Sequence, residues 1–310
     1  MSDKITLQQM KDAVLRSGYL LEQRVLPALE EAGFYVEANP VFPDPLTGKS
    51  REYDFTAITA IRVYRDDLDF LWIHLLGECV NNHHPIVCFA SDPVTDFLFH
   101  EDIKCAGIPL RFTEQKRDEG EMSFQEFFRL NKFHHYCRGP FSTQYCSFQQ
   151  KKQAKAWMAW HDDEHHRLFD TLVAATEYEI EELLSSWQPP RRGEEEPLNL
   201  NIFYPLLIAR GDLFECKQEK GGPVFEPRSH VQFRKRIISG QQQKTFHIDI
   251  VIEAFLAKYL KMLEDEHEEL KVRLRRKKKH VRLAIDRIAS EMRKVKNRDK
   301  REGLREILQF

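Results

Sequence analysis

Apolar residues recur at three- and four-residue steps over residues 7–32, where Leu21, Val25, Leu29 and Ala32 share one face. This period predicts an N-terminal helix, closed by Gly33 at its C′ position. The period then shortens. Residues 34–37 predict a short strand, and 39–50, with three prolines and a glycine, a loop. Residues 51–63 and 70–80 predict two strands that turn at Arg65-Asp66-Asp67 into an antiparallel hairpin. A third apolar run covers 85–90. Beyond 120, Gln, Lys, Ala, Glu and Leu with interleaved aromatics predict helices over 123–131 and 142–187. Short strands follow at 203–209, 213–217 and 231–238, with a turn at Gly221-Gly222-Pro223. An alternating run at 245–252 leads into a helix through about residue 261, and 262–302 reads as a long charged helix. No fixed-period repeat is present.

The segment 188–197 (QPPRRGEEEP) has three prolines, a glycine and no large apolar residue, so it reads as a linker. It divides the chain into 1–187, an α/β core with a helical extension, and 200–310, a small sheet with a long basic helix, joined by 188–199. At 310 residues, 42% hydrophobic and 31% charged, the chain can bury a sizeable core, which excludes disorder throughout. No apolar run is long enough to span a bilayer as a helix, and no basic-then-apolar leader opens the sequence. The six cysteines, 79, 88, 105, 137, 146 and 216, form no CxxC pair. A cytoplasmic protein with reduced thiols and no membrane partner is expected.

The net charge of −2 conceals an asymmetry: residues 271–310 carry +11, leaving −13 for the rest. Residues 271–282 hold nine basic residues, His280 included, with Arg275, Arg276, Lys277, Lys278 and Lys279 consecutive. Such density can neutralise several phosphates, so these five are the expected nucleic-acid contacts. A charged helix pairing with residues 264–269 of the body or of a second copy is the other reading. Leu270, Leu274, Val281, Ile285 and Ile288 offer a thin seam for a homo-oligomer.

Three acids stand inside or beside apolar runs: Glu22 on the first helix, Asp54 in the first hairpin strand and Glu78 near the end of the second. A buried carboxylate needs a cation, a proton or a basic partner. If the strands pair, Asp54 and Glu78 converge, and a hard divalent ion would balance them. Pairing of Asp54 with Arg51 or Arg24, and capping of a strand end by Glu78, is the alternative without metal.

The pieces Gly18-Tyr19-Leu20-Leu21-Glu22-Gln23-Arg24-Val25, Arg51-Glu52-Tyr53-Asp54 and Gly77-Glu78-Cys79-Val80-Asn81-Asn82, followed by Pro85-Ile86-Val87-Cys88-Phe89, resemble the PD-(D/E)XK restriction-endonuclease-like nucleases. The resemblance covers roughly residues 15–90 and implies a restriction-endonuclease-like α/β fold, a mixed sheet flanked by helices. It implies Asp54 and Glu78 as ligands of Mg²⁺ or Mn²⁺, Glu22 as a third catalytic acid, and hydrolysis of phosphodiester bonds by a metal-activated water. It also implies nucleic acid as partner, DNA ahead of RNA, and a role in defence against foreign DNA. The family's lysine falls at Val80, so a catalytically inactive binder of nucleic acid or protein is the alternative. Asn81 and Gln144, and also Asn82, Lys49 or Lys104, are the groups that could assist the site.

Two other patterns compete. Glu215-Cys216-Lys217 is a literal Glu-x-Lys, but Asp212 is too near to share the site. Gly211-Asp212 reads as a hairpin turn with Glu215 and Lys217 on an exposed face. His161-Asp162-Asp163-Glu164-His165 matches H-x-x-E-H, a zinc-protease pattern, within a very polar run that reads as a solvated helix face. His83-His84 and His134-His135 read as surface or hydrogen-bonded pairs, with no acid or cysteine nearby at metal spacing.

Overall fold

The computed structural model describes residues 4–44, 48–64, 68–81, 84–91, 103–108, 111–113, 121–151, 156–160, 163–186, 196–239 and 242–294. The N-terminal helical pattern forms two helices, α1 (Leu7–Arg16) and α2 (Tyr19–Glu31). They part at Ser17-Gly18, where the Ser17 hydroxyl donates to the Val14 carbonyl. Thr6 caps α1 through a reciprocal capping box with Gln9. Leu21, Val25 and Leu29 are buried, and Gly33, at φ +87°, ends α2 in a left-handed turn that favours glycine.

The chain continues through β1 (Tyr35–Ala38), β2 (Val41–Pro43), β3 (Ser50–Glu52), β4 (Phe55–Arg62), β5 (Phe70–Asn81), β6 (Ile86–Ser91), β7 (Lys104–Ile108), β8 (Arg111–Thr113) and β9 (Glu121–Ser123). Then come α3 (Phe124–Phe127), β10 (Phe141–Lys151), β11 (Ala156–Trp160) and α4 (Asp163–Ser186). The last third forms β12 (Asn199–Arg210), β13 (Leu213–Glu219), β14 (Gly222–Arg228), β15 (His230–Ser239), β16 (Gln242–Ile252), α5 (Leu256–Arg276) and α6 (Lys278–Lys294).

The architecture is α/β, as expected: helices flank a large mixed sheet of order β1-β4-β5-β12-β16-β15-β10-β6-β13-β14. The β4–β5 hairpin is antiparallel, with Phe55 opposite Gly77. Beside it β12 runs parallel to β5, and β16 runs parallel to β12. β12 is buried over nearly its whole length, so both faces are covered, which explains its continuous apolar run Ile202–Ala209.

Three expectations are corrected here. Residues 200–310 carry no separate small sheet, because β12 is inserted between β5 and β16 as the middle of one sheet shared by both parts of the chain. Residues 142–187 are not one helix: β10 and β11 precede α4, because burial of Tyr145, Cys146 and Ser147 within the sheet outweighs the helical propensity of their Gln neighbours. Gly211-Asp212 is no hairpin turn, since β13 leaves β12 and pairs with β6 and β14. The turn at 65–67 and residues 188–195 of the linker lie outside the described residues.

Candidate metal centre

The hairpin ladder of β4 and β5 ends at Phe55 and Gly77, so one further rung sets Asp54 opposite Glu78. Asp54 extends the ladder with its side chain: Oδ2 accepts the Cys79 amide at 2.6 Å. Its carbonyl accepts the Asn39 amide at 2.9 Å, which ties the kink before β4 to the end of β1. Gly77 faces the Phe55 ring so closely that a Cβ there would lie 1.8 Å from Cζ. At the start of α2, a Cβ on Gly18 would lie 3.3 Å from the Cys79 carbonyl and 3.5 Å from Glu22 Oε1. The first turn of α2 therefore presses Glu22 against the end of β5.

The three acids act on one another electrostatically, although their carboxylate oxygens do not all lie within 4.8 Å of one another. Burial, then the Asp54 charge and a hydrogen bond to Asp54, then Glu22 and Glu52, push Glu78 up to about 9. Burial also raises Asp54, opposed by the Cys79 amide and by the hydrogen bond from Glu78. Burial, Asp54 and Glu52 raise Glu22. All three acids rise, Glu78 the furthest, so near neutral pH Glu78 favours its protonated form and can donate to Asp54. The strongest charges acting on Glu78 are all carboxylates, including Glu52, which the sequence did not single out.

The guanidiniums that could have clasped Asp54 are engaged elsewhere. Arg24 pairs with Glu253, just after β16, and Arg51 pairs with Asp44 at 2.6 Å. Val80, two residues after Glu78, packs against the apolar cluster that includes Leu207 and Ile250.

The accessory residues do not join the site. Asn81 Nδ2 donates to the carbonyls of Leu15 and Ser17, at 2.9 and 3.1 Å, closing the end of α1. Gln144 lies exposed on β10, four strands from β5, about 19 Å away at the usual strand spacing. Glu215 is buried, not exposed, because Arg228 binds it at 2.9 Å and Lys217 stands 3.7 Å away. Asn82, His83, His161 and Asp162 lie outside the described residues, as do the side chains of residues 163–166.

The basic run is neither one helix nor a free tail. α5 ends at Arg276 and α6 starts at Lys278. Lys277 covers the Phe127 ring, 3.7 Å from its centroid, and donates to the Phe127 carbonyl. Arg275 donates to the Val63 carbonyl, Lys278 lies over Tyr64, and Arg282 pairs with buried Asp69. Arg275, Arg276, Lys278 and Lys279 remain exposed. Val63 follows β4 and Asp54 precedes it, so this turn lies at the opposite end of the strand, about 30 Å from the acids at 3.3 Å per residue.

A second polar cluster was not legible in the sequence. His134 and His135 are buried. His135 Nδ1 meets Glu266 Oε2 at 2.9 Å, and its Nε2 meets Asp249 Oδ2 at 3.1 Å. Burial pulls His135 down, but Asp249 and Glu266 outweigh it and lift it to about 10. Burial holds His134 down at about 3 and His267 at about 4. The partners of His135 lie 114 and 131 residues away, so no local spacing announces them.

No protein-family model, curated protein or solved structure matches the chain.

Proposed function

We propose that the chain is a divalent-metal-dependent nuclease whose centre is Glu22, Asp54 and Glu78. One observation supports the reading: Asp54 and Glu78 on adjoining strands are hydrogen-bonded, Glu78 feels the charges of Asp54 and Glu22, and all three have raised affinity for protons, while Arg24 and Arg51 serve other acids. The order of elements on which the restriction-endonuclease-like resemblance rests, helix acid, strand acid, hairpin, strand acid, supports it. So does the position of the acids beside the ends of β5 and its parallel neighbour β12, where α/β sheets commonly hold ligands.

An all-carboxylate donor set suits a hard ion, Mg²⁺ or Mn²⁺. When bound, such an ion supplies an acidified water and a Lewis acid for the phosphate. Asp54 and Glu78 would hold it, Glu78 as its carboxylate. The Cys79 amide fixes Asp54 so that one oxygen stays committed to the backbone. Glu22, less buried than the strand acids, contributes from the helix. Nucleic acid, with DNA ahead of RNA, is the substrate class, and the exposed Arg275, Arg276, Lys278 and Lys279 would hold its backbone about 30 Å from the acids. That span is about nine base pairs of duplex, so only substrates of that length would reach both.

The second reading, an inactive nuclease-fold protein that binds nucleic acid, is favoured by Val80. A digestion assay on single- and double-stranded DNA and RNA with Mg²⁺ or Mn²⁺ separates the two. Cleavage that disappears in Asp54→Asn and Glu78→Gln is expected. Cleavage equal in both variants to the parent would overturn the assignment, and binding without cleavage would establish the second reading.

A further inference from the structure

The cluster around Asp249 shares no residue with the carboxylate site. Asp249 lies on β16, His230 opens β15, His135 sits in a short 3-10 turn (His135–Cys137) and Glu266 is on α5. Two imidazole nitrogens face one carboxylate: His135 Nε2 lies 3.1 Å from Asp249 Oδ2, and His230 Nε2 lies 2.6 Å from Oδ1. The ligand atoms of these three residues all lie within 4.8 Å of one another. Ligands spaced like this need shift only a little to close on a single ion with bonds of about 2.0–2.2 Å.

The surroundings resemble an outer shell. Glu266 Oε2 accepts from His135 Nδ1, the bond that fixes a ligating imidazole and turns Nε2 toward its ion. Glu266 Oε1 accepts the His135 amide at 2.7 Å, so residue and ring are held together. Gln232 Nε2 donates to the His135 carbonyl at 2.6 Å. Tyr136 and Tyr259 donate to Asp249 Oδ2 at 2.8 and 2.7 Å, which leaves Oδ1 with His230. A groove of about 710 Å³, lined by Phe133, Arg138 and Lys258, borders His135 and Glu266 on one side of this cluster.

We propose that His135, His230 and Asp249 bind a first-row transition-metal dication such as Zn²⁺, leaving one position for water. Two imidazoles and a carboxylate favour such borderline ions over Mg²⁺, so the protein would sort different ions between its two sites. A dication with neutral imidazoles balances the charges of Asp249 and Glu266. Binding replaces the Nε2 contacts to Asp249, and the displaced imidazole protons leave to solvent.

The test uses the full chain carrying Asp54→Asn and Glu78→Gln, so that the carboxylate site cannot take the ion. After chelator treatment, Zn²⁺ is titrated by calorimetry and Co²⁺ by visible absorption. One ion per chain is expected, with the intense bands of low-coordinate Co²⁺ and a rise in melting temperature. His230→Gln should keep the fold and lose affinity at least tenfold, and Glu266→Gln about 10–100-fold. Histidine-selective NMR of the chain unaltered at 230 should show His135 and His230 perturbed together by Zn²⁺. No saturable binding, unperturbed rings of His135 and His230, or binding lost in His161→Ala but kept in His230→Gln would overturn the proposal. Because the carboxylate site is disabled throughout, failure here leaves the nuclease reading untouched.

Discussion

Asp54 hydrogen-bonds Glu78 across adjoining strands, and the Cys79 amide anchors the pair by donating to Asp54. A carboxyl raised to about 9 in the folded state costs no stability below its ordinary range. As pH rises from there toward about 9, the unfolded chain ionises first, and the folded state loses stability on the order of a few kcal/mol. Metal-free protein should therefore melt progressively lower toward pH 9, and Mg²⁺ or Mn²⁺ should restore it. Glu78→Gln should flatten this profile and raise stability of the metal-free chain near pH 9 by roughly 1–3 kcal/mol, while removing the response to metal. Melting curves with and without chelator would sink the account of a protonated Glu78 if parent and variant ran in parallel.

Gly77 admits the Phe55 ring where any side chain would overlap it. Phe55 is fully buried, so the ring cannot swing aside freely. Gly77→Ala should cost roughly 1–3 kcal/mol by overpacking. Phe55→Leu in the same chain should recover part of that loss. Urea denaturation of the two single variants and the double variant measures the coupling, and strictly additive effects would contradict the contact.

Arg282 and Arg276 are close in sequence and unlike in role. Arg282 pairs with Asp69, which is buried and also accepts the Leu198 amide at 2.6 Å. Arg282→Ala should cost about 3–5 kcal/mol, the usual penalty for removing the cation from a buried ion pair. Arg276 and Lys279 are exposed at the helix turn, and replacing both by Ala should change stability by less than about 0.5 kcal/mol. If the turn holds a nucleic-acid backbone, the same pair should lower the slope of log affinity against log salt by about 2. Filter binding across a salt series measures it, and an unchanged slope would detach the basic turn from the proposed substrate.

Asp249 accepts from His135, His230, Tyr136 and Tyr259 and lies well below the ordinary carboxylate range: burial opposes this, but the charges of His135 and His230 prevail. Asp249→Ala strands those donors inside the protein. A loss of about 3–5 kcal/mol, or failure to fold, is expected from denaturant titration. Asp249→Asn, which keeps the acceptor oxygen but not the charge, should fall between.

The hairpin and its acids were legible because strand alternation and buried charge are local signals. Leu21, Val25 and Leu29 likewise marked the buried face of α2 from spacing alone. What escaped depends on distant chain. The strand at 141–151 was masked by glutamines at positions that the sheet leaves exposed, and Gln144 is one of them. His134-His135 showed no metal partner at local spacing because Asp249 and Glu266 arrive more than a hundred residues later. Asn81 carried no mark distinguishing a metal neighbour from a helix clamp.

The central position of β12 bears on the order of synthesis. The acid-bearing hairpin leaves the ribosome with one edge unsatisfied, and its neighbour follows about 120 residues behind. A fragment stopping at residue 187 should collect in inclusion bodies rather than fold, since β5 would expose a long apolar border ready to pair with other copies. Refolding of the whole polypeptide should be slow, because its middle rung is a contact between far-separated stretches.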